Sequence, residues 1–96
     1  MVASTATVET AKASRYLQQL CKHFGHKIEV EFTPESGCLP FAFGLCRLEA
    51  DASALRFYAE AADVAELARL EQVIGSHFER FAFRDDLKVS WQRRAA

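Results

Sequence analysis

Ala13, Tyr16, Leu17, Leu20, Cys21 and Phe24 recur at helical spacing, with Lys12, Arg15, Gln18, Gln19, Lys22 and His23 on the opposite face. Thr10 offers a hydroxyl where an N-cap is wanted, and Gly25 stands where a helix ends, so the pattern predicts a helix between them. A second stripe of Leu67, Leu70, Ile74, His77, Phe78 and Phe81, flanked by Val73, opens on Asp63 with Glu66 three residues later. That pair is a capping box, and Arg84-Asp85-Asp86 closes the helix.

Between and around the helices the period drops to two. Residues 2–9 are small and β-branched, with Ser4, Ala6 and Val8 alternating against Thr5 and Thr7, as in a first strand. In residues 27–32, Ile28, Val30 and Phe32 alternate with charged residues, which predicts a half-exposed strand. Thr33-Pro34-Glu35-Ser36-Gly37 is turn chemistry. Residues 38–50 are β-like but change phase, Leu39, Phe41 and Phe43 sharing one face and Cys46, Leu48 and Ala50 the other. A strand keeps a buried face through such a slip only with a bulge or break, expected at Gly44. Asp51-Ala52-Ser53-Ala54 turns the chain into residues 55–60, where Leu55, Phe57 and Ala59 point inward. Leu87, Val89 and Trp91 form a last alternating strand, and residues 93–96 read as a frayed tail.

The order is β-α-β-β-β-α-β. Two helices with one apolar stripe each must cover the apolar face of one sheet, which gives an α+β two-layer sandwich with an antiparallel-dominated sheet. The 96 residues fit a single domain, with an ordered core over about residues 3–92. The formal charge is −1 and the basic residues are scattered, which argues against a nucleic-acid or membrane partner. No run of apolar residues is long enough for a membrane span, and the opening Met1-Val2-Ala3-Ser4-Thr5 has no positive n-region. Cys21, Cys38 and Cys46 cannot all pair within one chain and form no CxxC, so a cytoplasmic location with free thiols is expected.

Several runs carry a resemblance: Ser14-Arg15-Tyr16-Leu17, Leu20-Cys21-Lys22-His23-Phe24 with His26-Lys27, and Glu31-Phe32-Thr33-Pro34-Glu35. Cys46-Arg47-Leu48-Glu49-Ala50 and Glu79-Arg80-Phe81-Ala82-Phe83-Arg84 continue it. The chain resembles, from about Ala6 to Trp91, the bacterial family called Domain of Unknown Function 2218. The resemblance implies no activity, cofactor or catalytic residue. Some members are associated with, or fused to, siderophore-interacting ferric reductases, so it implies an indirect link to iron handling.

The candidate chemistry is sparse. Cys21, His23 and His26 have metal-ligand character, but residues two apart on a helix point about 200° apart, so Cys21 faces the core and His23 faces water. No metal is expected there. His77 lies on an apolar stripe, where it is either a satisfied core or rim histidine or a general base or ligand. Arg80 and Arg84, beside Asp85 and Asp86, form either a solvated helix end or a clamp for a carboxylate or phosphate. Glu29 and Glu31 share an outward strand face, read as solvated. The common nucleotide, hydrolase and zincin motifs are absent, and no cofactor is expected.

The favoured function is a non-catalytic binding or accessory domain whose small-molecule ligand the sequence does not name. The alternatives are an enzyme using His77 with a nearby Cys or carboxylate, and a metal or haem protein using the Cys21/His23/His26 region. Pro40 cannot donate to a ladder, so its strand is expected at an edge. Only Glu35 and Arg47 are charged between Phe32 and Leu48, which predicts a two-fold homodimer through Leu39, Phe41 or Phe43.

Overall fold

The computed structural model describes residues 1–95, and Ala96, part of the expected tail, lies outside them. The elements run β1 (Val2–Glu9), α1 (Ala13–Phe24), β2 (Glu31–Phe32), β3 (Ser36–Phe41), β4 (Gly44–Ala50), β5 (Ala54–Ala61), α2 (Val64–Phe81) and β6 (Gln92–Ala95). A 3₁₀ turn, Phe83–Asp85, follows α2. The strands make one antiparallel sheet in the order β2-β3-β4-β5-β1-β6, and both helices pack on one face of it. This is the expected α+β two-layer sandwich.

Alternation builds the inner face. Register places Leu39, Cys46, Ala59 and Ser4 in one row across the sheet, and Gly37, Leu48, Phe57 and Ala6 in the next. Leu17, Leu20 and Cys21 of α1 and Leu67, Leu70, Ile74 and Phe78 of α2 close over these rows with almost no exposure. Asp63 caps α2 as expected, its carboxylate accepting from the Glu66 N–H at 2.8 Å. At α1 the cap is displaced: Lys12 holds the N-cap position, and the Thr10 hydroxyl accepts from the Lys12 N–H at 3.1 Å.

The strand expectations hold at Gly44 and need three corrections elsewhere. Of the bulge or break expected at Gly44, the structure has the break: a two-residue hairpin turn, Ala42-Phe43, separates β3 from β4. Only Glu31 and Phe32 of residues 27–32 join the sheet, while Ile28 and Val30 pack against the core outside the ladder and Phe32 is exposed. Leu87, Val89 and Trp91 cover the core without pairing, the Val89 N–H being taken by the Glu79 carboxylate at 2.9 Å. The strand that does pair with β1 is Gln92–Ala95, where a frayed tail was expected. Arg93 anchors it: its guanidinium donates to the buried Glu71 carboxylate, the shortest contact being 2.8 Å.

Of the three residues expected at an edge interface, the structure withdraws Leu39. Leu39 is fully buried in the chain's own core, because its row faces the helices. Phe41 and Phe43 are half-buried and stack on each other at 5.2 Å, with the Arg69 guanidinium 4.2 Å over the Phe43 ring. β2 covers only Gly37 and Cys38 of β3, so the outer edge is open from Leu39 onward. Ser36 O accepts from Thr33 on that outer side, whereas Glu35 O accepts from Ala50 of the β4 side. Hydrogen-bonding direction alternates along a strand, so Pro40 turns its missing N–H to the open edge, where it blocks rather than invites strand addition.

Candidate anion-binding groove between the helices

α1 and the end of α2 run side by side over the sheet, and their facing rims carry the polar residues left outside the core. His77 of α2 is half-buried, and its Nδ1 lies 2.7 Å from Val73 O. A carbonyl oxygen only accepts, so Nδ1 carries a proton that it donates to Val73 O. His23 of α1 packs beside it, ring centroids 4.9 Å apart, and lies 5.3 Å from Phe81. Burial, then His77, Lys27, His26 and Arg80, hold His23 below the usual histidine range, because each of these charges opposes a second positive one. The structure thus brings His23 and His77 together, with His26 and Arg80 close by.

Next to this pair a groove of about 400 Å³ is lined by Lys12, Arg15, Gln19, Arg80 and Arg84, with Tyr16, Phe81, Phe83 and Asp85. Asp85 is its one carboxylate, and it is already engaged. It accepts from the Tyr16 hydroxyl and from Lys12 Nζ at 3.1 and 3.2 Å. These partners hold its carboxyl below the usual range, while burial and then Asp85 push the Tyr16 phenol up to about 12. Among the described residues, ion pairs join Lys12 to Asp85, Arg47 to Glu60, Arg56 to Asp51 and Arg93 to Glu71, and none involves Arg15, Arg80 or Arg84. Three guanidinium groups therefore line one groove with their donors unmatched by carboxylate. A guanidinium presents a planar fork that fits carboxylate and phosphate oxygens.

The remaining candidates do not assemble. Cys21 is buried and His23 exposed, so the Cys21/His23/His26 set faces two ways. Among the described residues no three His, Cys, Asp or Glu side chains are grouped to hold a metal. Burial raises the Cys21 thiol to about 11 and the Cys46 thiol further, which leaves both protonated and inert. Glu31 lies on the outer sheet face, level with Cys38, Arg47 and Tyr58, whereas Glu29 sits in the irregular segment before β2. Two larger open grooves flank β2. Both mix signs: Arg47 with Glu31 and Glu49 in one, and Lys22 and His26 with Glu29 and Glu31 in the other. Sequence reasoning singled out Arg80 and Arg84 but left Lys12 and Arg15 on a solvated helix face and Tyr16 on the apolar one. Nothing in a single helix says which of its outward residues will face a second helix.

The model of a family described as uncharacterized protein conserved in bacteria (DUF2218) matches residues 5–92. No curated protein matches the chain. The NMR structure of PA4090 from Pseudomonas aeruginosa is similar over 96% of both chains, with 39% identity and a TM-score of 0.80. No helix is long and apolar enough to cross a membrane.

Proposed function

The chain belongs to the DUF2218 family of uncharacterised proteins conserved in bacteria, and from that premise we propose that it is a non-catalytic domain binding a small anion between α1 and the end of α2. One observation carries this reading: Arg15, Arg80 and Arg84 line a groove whose one carboxylate, Asp85, is already bound by Tyr16 and Lys12. A structural ion-pair network would match its guanidinium groups with carboxylates; this groove leaves three for an incoming anion. The non-catalytic part is supported by the protonated, buried thiols and by His77, whose Nδ1 is taken by the Val73 carbonyl of its own helix. Three free cysteines support a bacterial cytosolic setting.

Isothermal titration together with amide chemical-shift mapping tests the reading. Inorganic phosphate, citrate and a ferric tricarboxylate chelate form the panel, the last because the family resemblance implies a link to iron handling. Binding is expected to shift amides of residues 12–19 and 80–85, and to weaken as salt rises. Arg80→Gln and Arg84→Gln should each weaken it by about tenfold, the value of one charge-assisted hydrogen bond. Absence of shifts at millimolar anion, or shifts confined to another surface, would overturn the proposal.

A further inference from the structure

Phe83 is 73% exposed, the most of the eight phenylalanines, and single exposed apolar side chains are common enough to carry no argument alone. Two further observations change its standing. First, Phe83 lines the arginine groove together with Phe81, so the groove offers aromatic surface beside unpaired guanidinium groups. Second, the turn that carries it is held in place. Asp85, two residues on, binds Tyr16 of α1 and Lys12 at its N-cap, and Ala82, one residue before, is fully buried. Asp86 then reverses the chain in a left-handed conformation, φ 53°, which an Asp tolerates better than most residues. Phe83 is thus an apolar surface fixed in advance, and a fixed surface loses little conformational entropy when a ligand covers it.

We propose that the anion bound in this groove is carried on a planar aromatic ring, the ring lying on Phe83 and Phe81 and the charged group on Arg15, Arg80 and Arg84. The proposal rests on the anion-binding reading and narrows its ligand class. Four cations against one engaged carboxylate repel a cationic ligand. A small inorganic anion would pair with the arginines and leave the Phe83 ring in water. A ring bearing a phosphate or carboxylate satisfies both halves of the lining, and its face can also take a neighbouring guanidinium. A groove of about 400 Å³ lies at the small end of ligand sites, in keeping with one ring and one anionic group.

The test compares phenyl phosphate with methyl phosphate, which share the anionic group and differ in the ring. Titration calorimetry is expected to show phenyl phosphate binding about tenfold tighter, the free energy of one stacking contact. Phe83→Ala, checked for folding by circular dichroism, should bring the two affinities together. Arg84→Gln should weaken both. Equal affinities in the unaltered protein overturn the aromatic proposal and leave the anion reading standing. If neither phosphate binds, the anion reading falls as well. A ring preference that survives Phe83→Ala undiminished overturns the placement on Phe83.

Discussion

Adding one methyl group at Gly44 and at Gly75 should move stability in opposite directions. Gly44 pairs with Phe41 beside the β3–β4 turn, with its Cα facing the helices. A Cβ there would stand 2.7 Å from Glu60 O, 3.0 Å from Leu70 Cδ2 and 3.3 Å from Ala61 Cβ. The first neighbour is backbone of the adjacent strand, so relief requires β4 and β5 to move apart or α2 to lift. Forcing atoms into a packed core costs about 1–3 kcal/mol. Gly75 lies inside α2, where a Cβ would meet Trp91 Nε1 at 3.4 Å and Val89 Cβ at 3.9 Å, ordinary contact distances. Its φ is not positive, so alanine fits, and replacing a helix-interior glycine contributes about 1 kcal/mol.

For a domain of this size, 1 kcal/mol moves Tm by about 4–8 °C. Gly75→Ala should therefore raise Tm by about that amount, and Gly44→Ala should lower it by about 4–24 °C. Urea unfolding checks the cause: the midpoints should shift while the slope stays constant, which places the change in the native state. The two sites share no neighbour in these contacts, so the double variant should be additive within about 0.5 kcal/mol. A neutral Gly44→Ala would refute the close-packed joint between β4, β5 and α2. A destabilising Gly75→Ala would refute the open seating of Trp91 on the helix.

Ser4 is fully buried, and its Oγ has no hydrogen-bond partner among the described residues, so Ser4→Ala should stabilise by up to about 1 kcal/mol in urea unfolding. Phe78, fully buried with its ring against Tyr16 at 5.3 Å and Phe57 at 5.5 Å, should cost about 3–5 kcal/mol as Phe78→Ala, seen as a large midpoint loss. Tyr16 has a pKa raised from 10 to about 12, so the folded state holds that proton more tightly than the unfolded chain. Its contribution is complete below pH 10 and is lost as the pH rises to about 12; unfolding curves across that window should flatten in Tyr16→Phe. Pro40→Val would place an unpaired N–H on the open β3 edge, and light scattering should show more self-association than in the unaltered protein.

Much of the fold was legible because it rests on local periodicity. The α1 and α2 stripes became the buried faces, and Asp63 capped α2, since each depends only on spacing within one segment. The misses arose where a long-range partner decided between local options. Ala42-Phe43 lacks the Asn, Gly or Pro that marks a turn, so the hairpin showed only as a change of phase. Lys27 to Val30 alternates like a strand, yet the same alternation serves a segment that lays Ile28 and Val30 on the core without a ladder. Arg93 looked solvated because Glu71, its partner, sits on an apolar helix face in a different part of the chain. The groove follows the same logic. Arg80 and Arg84 carry a one-turn clamp signal by themselves, but Arg15 joins them only because both helices share one face of the sheet. The composition concealed this as well. A net charge of −1 averages over the molecule, and local pairing with carboxylates, which decides whether an arginine is free to bind an anion, appears only once the helices are side by side.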